Sequence, residues 1–394
     1  MRREWLRGSV ALVWVLLAGV PAEGFSQNVV IVVVDGARYA ETFGAGETRI
    51  PRLWRDIRPQ GMIWTNYRND GVTTTTPSHA TILSGVWQEI ANDGSERSTA
   101  PTVFECFRLE TAAPESDVCV VVGKAKLASL AYSAHPGYGA AYGATTVVTS
   151  TDSAVAWAAD SVLGRLRPRL LLVNFADVDR GAHDGDSAGY LRAITRVDSL
   201  IGGLWQRLQK DPFYRGTTTL LVTNDHGRHE TDFTGHGDDC EGCRHIMLLA
   251  VGRNIPPGRT VNRLRQHVDI APTVGDLMGF ATPLAAGSTL LADTVATGTA
   301  PEGSRIPEDV RLMQNYPNPF NPSTTIAYEV PHRTHVRLQL CDMLGRRVAT
   351  LVDTIQAPGG YSLVFDAAGL PSGSYFLSLR ADERARTRRL LLVR

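Results

Sequence analysis

Acidic and imidazole side chains follow three separate apolar stretches of this 394-residue chain. The stretches are NVVIVVV, LLLVNFA and TTTLLVT, and each is followed within a few residues by Asp, His or both. Aspartate and histidine are ligands that zinc-like divalent ions prefer in proteins. A set of this size can hold two ions side by side, an arrangement that supports in-line displacement at phosphorus. The candidate ligands are Asp35, Asp179, His183, Asp225, His226 and His236.

A run of four threonines, in GVTTTTPSHATILSG over residues 71–85, raises the question of a nucleophile. Residues of this type also serve as ordinary strand formers or as helix N-caps. Pro77 suits the first position of a helix, which predicts Thr76 as the N-cap and Gly85 as the helix end. Thr75 would then lie just before the helix N-terminus, where free amides and the helix dipole favour an alkoxide and an incoming phosphate.

The elements that must position these residues follow an α/β pattern. Apolar, β-branched runs are typical of strands buried on both faces of a parallel sheet, and helical patterns at residues 186–210 and 267–279 accompany them. This alternation predicts an α/β/α sandwich around a mostly parallel sheet, whose strand C-termini form the ligand-binding edge. The predicted strands are residues 28–34, 118–122, 145–150, 170–176, 217–223 and 246–252.

The composition changes near residue 292. Residues 292–311 are rich in small residues, Pro and charge, which predicts a linker after a catalytic domain over residues 28–291. Residues 312–394 carry alternating segments punctuated by Gly and Pro, which predicts a small all-β, immunoglobulin-like sandwich.

Residues 1–22 are typical of a secretory signal peptide. Arginines precede the apolar run VALVWVLLAGV, and the small residues of VPA suit cleavage near Ala22. A short N-terminal anchor is the alternative, although the run is short for a membrane span. We predict no transmembrane segment in the mature chain, and the formal net charge of zero gives no indication of nucleic-acid binding.

Export to an oxidising compartment bears on the five cysteines. We expect Cys106 to pair with Cys119, and Cys341 to be the unpaired thiol. Cys240 and Cys243 form a lone CxxC, which predicts a local disulfide or two free thiols rather than a four-sulfur zinc site.

The candidate residues resemble those of the alkaline phosphatase superfamily of two-metal phosphatases, phosphodiesterases and sulfatases. The segment TTPSH at residues 75–79 is similar to Thr-Phe-Pro-Asn-His of nucleotide pyrophosphatases/phosphodiesterases and to Cys-x-Pro-Ser-Arg of sulfatases. VDIAPTVGDLMG resembles the superfamily's Asp-Ile-x-Pro-Thr-Leu helix, and the resemblance covers roughly residues 28–280. It implies Thr75 as the nucleophile, and because sulfatases need Cys or Ser there, Thr75 argues against sulfatase chemistry.

The resemblance also implies the ligands of two divalent metal ions. Zinc suits this donor set best, and manganese stays open. The ligands of one ion would be Asp35, Thr75, Asp225 and His226. The ligands of the other would be Asp179, His183 and His236.

Three further residues are predicted to bind substrate. Asn92 matches the asparagine that related enzymes place on a phosphoryl oxygen, with a turn residue as the alternative. Lys124 and Lys126, in GKAKLAS, stand where some phosphomonoesterases of the superfamily carry a Lys-x-Arg pair, with solvated loop lysines as the alternative. Residues 228–229 are expected to line the rim, and Asp177 to orient a metal ligand.

The C-terminal unit resembles the sorting domain of the bacterial type IX secretion system. The matching stretches are QNYPNPFNPSTTI, DMLGRRV, LPSGSYFLSL and the basic end RTRRLLLVR. The resemblance implies that type IX machinery carries the chain across the outer membrane to a secreted or surface-attached location. A generic carbohydrate- or protein-binding sandwich is the alternative.

These observations predict a secreted two-metal phosphohydrolase that acts on a phosphate ester through a covalent phosphothreonine at Thr75. Two lysines suit the dianion of a monoester, which favours a phosphomonoesterase. A phosphodiesterase or nucleotide pyrophosphatase on the same site is the first alternative. A mutase-like metalloenzyme, which export would remove from glycolytic substrates, a sulfatase-like hydrolase and a non-catalytic surface binding protein are the others. The natural substrate and the oligomeric state stay open.

Overall fold

The computed structural model of the chain describes residues 26–294 and 309–393, without residues 314, 316, 317, 319, 333, 357, 358 and 383. The predicted signal peptide at residues 1–22 and the larger part of the predicted linker lie outside the described residues. None of the helices in the described ranges combines the length and the apolar composition that a bilayer span requires.

A nine-stranded sheet forms the centre of the first unit. Its strands are β1 (Asn28–Val34), β2 (Gly61–Arg68), β3 (Val118–Val122), β4 (Thr145–Val148), β5 (Leu170–Phe175), β6 (Thr218–Thr223), β7 (His245–Gly252), β8 (Arg259–Val261) and β9 (Arg265–Gln266). The order across the sheet is β4-β3-β5-β1-β6-β7-β2-β8, and β9 pairs with β2. Only the pairings of β7 with β6 and β2 are antiparallel among the described strands of this sheet, which confirms the predicted mostly parallel arrangement.

Helices cover both faces of the sheet. They are α1 (Thr75–Ser84), α2 (Val103–Thr111), α3 (Asp152–Arg165), α4 (Asp177–His183), α5 (Ser187–Lys210), α6 (Glu241–Arg244) and α7 (Ile270–Met278). Helices α1, α2 and α7 pack on one face, and α3, α4 and α5 on the other, so the α/β/α sandwich is confirmed. A π-helical segment spans Arg52–Ile57. Short 3₁₀ helices span Tyr39–Glu41, Phe43–Thr48, Arg58–Gln60, Glu115–Asp117, Ala125–Ala131, Ala140–Tyr142, His267–Asp269 and Leu290–Asp293.

Strand β1 shows why continuous apolar runs build this fold. All seven of its residues are buried, and successive side chains enter opposite cores because the side-chain period of a strand is two. Val29, Ile31 and Val33 pack under α1, α2 and α7. Val30, Val32 and Val34 pack under α3, α4 and α5. A strand of this kind needs apolar residues at every position, which is the pattern that predicted it.

Helix α1 begins earlier than predicted. Its first residue is Thr75, and Thr74 is the N-cap, with its carbonyl accepting a bond from Ser78 N–H at 3.1 Å. Pro77 therefore occupies the third helical position. A proline is tolerated there because the first amides of a helix have no intrahelical acceptor. The helix ends at Gly85 as predicted, with a left-handed φ of 71°.

The predicted Cys106–Cys119 disulfide is wrong, since both thiols are free. Cys106, on α2, packs in the core beneath α1, α2 and α7. Cys119, on β3, points into the core on the opposite face of the sheet. The alternation of side chains along β3 separates the two thiols, and sequence distance alone does not reveal this.

The C-terminal unit is a small β-sandwich, as predicted. Its strands are β10 (Arg311–Leu312), β11 (Ser323–Val330), β12 (Thr334–Cys341), β13 (Arg347–Gln356), β14 (Gly359–Asp366), β15 (Gly373–Ala381) and β16 (Arg384–Leu392). They form antiparallel sheets in the orders β10-β11-β14 and β13-β12-β15-β16. Both sheets contribute to one core, which includes Ile326, Tyr328, Leu338 and Leu379.

Candidate active site

The three strands that precede the candidate ligands are neighbours in the sheet. Their order is β5-β1-β6, and they run parallel, so their carboxyl ends open at one edge. Asp35 directly follows β1, Asp179 lies in α4 just after β5, and Asp225 follows β6 by two residues. All three carboxylates are buried. The predicted convergence of these residues is therefore a feature of the fold.

One group of donors consists of Asp35, Asp225 and His226, whose ligand atoms lie within 4.8 Å of one another. The Nδ1 of His226 lies 2.9 Å from the carbonyl of Gly227, so Nδ1 carries the proton and Nε2 presents a lone pair. Both His226 Nε2 and Asp225 Oδ2 are buried without a hydrogen-bond partner among the described residues. Buried acceptors facing each other without a donor are costly, and they fit a divalent cation.

A second group consists of Asp179, His226 and His236, again with ligand atoms within 4.8 Å. His183 joins it, because its Nε2 lies 3.1 Å from His236 Nε2 and 3.4 Å from Asp179 Oδ1. His236 Nδ1 donates to the carbonyl of Thr73 at 3.0 Å, which turns its Nε2 towards the group. Burial is the main reason that the pKa of His236 falls to about 3, so the ring is neutral and able to bind a metal at neutral pH.

Lys124 connects Thr75 to both groups of donors. The Lys124 ammonium lies 3.2 Å from Thr75 Oγ1, 2.9 Å from Asp35 Oδ1 and 2.5 Å from Asp179 Oδ2. Burial opposes the charge of Lys124, but the carboxylates of Asp35 and Asp179 raise its pKa above the ordinary value. Burial alone would raise the pKa of Asp179, but the neighbouring cations, Lys124 first, lower it to about 2. Burial and the neighbouring Asp225 raise the pKa of Asp35 above its usual value. Lys124 therefore holds Asp179 ionised, whereas Asp35 sits among like charges in a buried position.

Asn92 and Lys126 lie beside the start of α1. Asn92 Oδ1 accepts bonds from the Thr76 N–H and from Lys126 Nζ, both at 2.9 Å. Burial and the neighbouring Lys124 lower the pKa of Lys126. The three predicted substrate-binding residues, Asn92, Lys124 and Lys126, therefore lie around Thr75 and Thr76.

Two buried residues that sequence reasoning did not assign connect α1 to the ligands. His79 Nδ1 lies 2.8 Å from the carbonyl of Thr75, and Asn174 Nδ2 lies 3.1 Å from His79 Nε2. Because the Asn174 amide can only donate there, the His79 proton belongs on Nδ1. Asn174 Nδ2 also lies 3.4 Å from Asp35 Oδ2. An asparagine inside the apolar run LLLVNFA was the available signal, since a buried polar residue needs partners.

Arg228 is wrongly predicted as a rim residue, because it is fully buried. Its guanidinium contacts the carboxylate of Asp179 and donates to the Asp179 carbonyl at 3.1 Å and to the Thr234 carbonyl at 2.9 Å. Asp177 contacts none of the predicted ligands among its described hydrogen bonds. It accepts from the Asp152 N–H at 3.0 Å and pairs with Arg180. Arg228, rather than Asp177, orients a predicted ligand.

Comparison with known families gives matches over two parts of the chain. Residues 117–255 match the model of the family described as type I phosphodiesterase / nucleotide pyrophosphatase. Residues 314–393 match the model described as secretion system C-terminal sorting domain. The family match supports the prediction of an enzyme that hydrolyses phosphoric esters.

Curated relatives match only in a short segment. A 2,3-bisphosphoglycerate-independent phosphoglycerate mutase of Desulforudis audaxviator is 32% identical over 116 residues, which is 29% of this chain and 21% of the relative. A phosphopentomutase of Symbiobacterium thermophilum is 30% identical over 118 residues, which is 30% of this chain and 28% of the relative. The chain thus spans less than a third of the length of these relatives.

Solved structures are similar in fold at low identity. A protein in the alkaline phosphatase superfamily from Vibrio parahaemolyticus has a TM-score of 0.53 at 15% identity, over 87% of this chain and 80% of that one. A putative sulfatase from Bacteroides thetaiotaomicron has 0.56 at 16%, over 87% and 86%. The wild-type alkaline phosphatase PafA has 0.53 at 13%, over 68% and 99%.

The fold of the first unit is therefore that of the alkaline phosphatase superfamily. The chain joins a domain with this fold, in which residues 117–255 match the type I phosphodiesterase model, to a C-terminal segment that matches the secretion sorting-domain model. Both resemblances read from the sequence are confirmed at this level.

Proposed function

We propose that this chain is a two-metal phosphohydrolase that uses Thr75 as its nucleophile and acts on phosphate monoesters. The observation that carries the proposal is the contact of Lys124 Nζ with Thr75 Oγ1 at 3.2 Å, beside buried Asp and His donors. Lys126 and Asn92 lie next to them and supply further polar contacts for a phosphoryl group. A non-catalytic binding protein has no need for a buried hydroxyl at this position.

The donor sets fit two divalent ions, for which zinc is the proposed identity. One ion would be held by Asp35, Thr75, Asp225 and His226, and the unpartnered buried Asp225 Oδ2 and His226 Nε2 motivate the assignment. The other would be held by Asp179, His183 and His236. Such ions, when bound, supply Lewis acidity to the attacking and leaving oxygens.

Thr75 attacks phosphorus through Oγ1. The new bond joins Oγ1 to phosphorus, the bond from phosphorus to the leaving alkoxide breaks, and the hydroxyl proton passes through solvent to the alkoxide, which departs as the alcohol. Its position at the first residue of α1 favours negative charge on the oxygen and on the incoming phosphate. Water then displaces Thr75 from the phosphothreonine and releases phosphate. Lys124 stabilises negative charge near Oγ1 in both steps.

The two lysines favour a monoester over a diester. A monoester dianion has more charge on its non-transferred oxygens, and each charge-assisted contact contributes about 1.5–3 kcal/mol. Lys124 Nζ lies 3.2 Å from Thr75 Oγ1, and Lys126 Nζ lies 2.9 Å from Asn92 Oδ1. Both ammonium groups are therefore close to the proposed position of the phosphoryl group. The match to the type I phosphodiesterase family favours a second candidate, a phosphodiesterase or nucleotide pyrophosphatase on the same residues.

Substitution of the two lysines tests the proposed preference for monoesters. We expect Lys124→Ala to lower kcat/KM for an aryl phosphate monoester by about 10- to 150-fold, and Lys126→Ala by less. On an aryl phosphate diester each variant should lose at least about fivefold less than on the monoester, because a monoanion needs fewer cationic contacts. The loss that Lys124→Ala still shows on the diester reflects its contact with Thr75 Oγ1. Lys210→Ala, at the end of α5, is the matched control and should change neither rate.

The rates on different esters decide between the candidate functions. Equal losses on both esters, or a wild type that prefers the diester, would give the function to the phosphodiesterase candidate. An aryl sulfate assayed in parallel should turn over slowest, because Thr75 stands where sulfatases need a residue that converts to formylglycine. A preferred sulfate would contradict phosphoryl transfer as the main activity.

The C-terminal sandwich is proposed to direct export through type IX machinery to the surface or the medium, in keeping with its sorting-domain match. It has its own core, and the proposed catalytic residues lie between Asp35 and His236. We therefore expect a chain ending at residue 300 to keep its kcat/KM within about twofold. In a host with a type IX system the shortened chain should stay in the periplasm. A shortened chain that is soluble and folded but inactive would contradict this division.

A further inference from the structure

Four potential metal ligands meet outside the catalytic donor groups. The ligand atoms of His229, Asp238, Cys240 and Cys243 lie within 4.8 Å of one another. The CxxC read from the sequence is therefore not alone, because the fold brings an imidazole and a carboxylate to its two sulfurs. Two thiolates, an imidazole and a carboxylate form a set that zinc binds tetrahedrally.

The four donors face a common point. His229 Nε2 is buried and has no hydrogen-bond partner among the described residues, and it lies 3.1 Å from Asp238 Oδ2. The other oxygen of Asp238 accepts from the Cys240 N–H at 3.1 Å, which fixes the carboxylate. In a tetrahedral site with Zn–N and Zn–O bonds of about 2.0 Å, the nitrogen and oxygen are about 3.3 Å apart, close to the 3.1 Å between His229 Nε2 and Asp238 Oδ2.

Backbone hydrogen bonds hold these four donors close together. The Gly227 N–H donates to the Cys243 carbonyl at 2.8 Å, and the Arg228 N–H donates to the Gly242 carbonyl at 2.9 Å. These bonds fix α6 against the segment that follows β6. A Cβ at Gly235 would lie 2.5 Å from His229 Nδ1, so only glycine leaves room for the ring in this orientation.

We propose that these residues bind a structural zinc ion, separate from the two catalytic ions. Four protein ligands leave no position for substrate, which is the pattern of a structural site. The ion joins His229 to the segment Asp238–Cys243 and so closes the loop between them.

This loop carries His236, which gives the site a consequence for catalysis. His236 Nδ1 donates to the Thr73 carbonyl at 3.0 Å, and Thr73 Oγ1 donates to the Asp238 carbonyl at 2.8 Å. A zinc ion on Asp238 would thus hold His236 and the threonine run in register. This consequence rests on the proposed function, whereas the zinc site itself does not.

Cobalt(II) substitution tests the site without reference to turnover. The full chain, prepared with reductant and loaded with Co²⁺, should show a thiolate-to-cobalt charge-transfer absorption, since the catalytic donor groups contain no sulfur. Cys240→Ser and Cys243→Ser should abolish it, and Cys341→Ser, in the C-terminal sandwich, should leave it unchanged. Asp225→Asn should also leave it unchanged while removing esterase activity, so failure of this site and failure of the proposed function are distinguishable.

Zinc content gives the second measurement. We expect about three zinc ions per chain in the wild type and about two in Cys243→Ser. Asp238→Asn, at a solvent-exposed carboxylate, keeps the measurement valid if a cysteine variant fails to fold, and it should weaken retention of the third ion by at least tenfold. A Cys240–Cys243 disulfide in the zinc-loaded protein purified without reductant, or a wild type without the thiolate absorption, would overturn the proposal.

Discussion

Thr75→Ala is expected to lower kcat/KM for phosphate ester hydrolysis by ~10³-fold or more, equivalent to ~4 kcal/mol of transition-state stabilisation. The substitution removes the hydroxyl that Lys124 contacts at 3.2 Å, and no neighbouring side chain of α1 can replace it in the same position. Metal content should fall little, because the Asp and His donors remain. Steady-state kinetics with metal analysis on the same sample measures both.

The neighbouring threonines are the matched controls. Thr74→Ala should cost less than about fivefold, since the Thr74 side chain makes no capping bond to α1. Thr73→Ala keeps the main-chain carbonyl that holds His236, so it should also be mild. Thr75→Ser should retain far more activity than Thr75→Ala. If Thr74→Ala were as damaging as Thr75→Ala, the register of the nucleophile would be wrong.

Removal of the divalent ions is the second large effect. Dialysis against a chelator should lower activity by at least ~10³-fold, and zinc should restore it. The Lys124 ammonium is shared between the carboxylates of Asp35 and Asp179, so one positive charge faces two negative ones. Asp225 Oδ2 and His226 Nε2 are buried without a hydrogen-bond partner among the described residues, so a cation would stabilise them too.

Thermal unfolding supplies the control for metal removal. A ligand that binds only the folded state raises the unfolding midpoint, so the zinc-loaded protein should unfold at a higher temperature than the chelated one. Asp225→Asn should reduce this shift, because it removes a ligand of one of the catalytic ions. Chelated protein that keeps its activity with only trace transition metal would contradict the two-metal account.

The fold was largely predictable because its signals are local. Strands β1, β3 and β5 are nearly continuous apolar runs, and β6 is a run of β-branched and apolar residues. Such runs are typical of strands buried on both faces of a parallel sheet. The start of α1 was misplaced because proline is tolerated at several early helical positions. Strand β2, with its irregular register against β7, carries no clean period of two and was missed.

The catalytic donors were predictable because they follow strands that end at one edge. The Lys-x-Lys pair and Asn92 came from resemblance, and the structure brings them to Thr75. The partners of Arg228 and Asn174 could not be assigned, since they are distant in the chain: Asp179 for the first, and His79 for the second. The partners of the CxxC, His229 and Asp238, depend on loop conformation that no local pattern encodes.

The central claim, phosphoryl transfer through Thr75, is tested most directly by the stereochemistry at phosphorus. The metal-loaded wild type would transfer an isotopically chiral phosphoryl group from an aryl ester to an acceptor alcohol. Each in-line displacement inverts phosphorus, so a phosphothreonine formed and then cleaved gives net retention. The account predicts retention for the wild type, and net inversion, which indicates direct attack by the acceptor without a covalent intermediate, would contradict it.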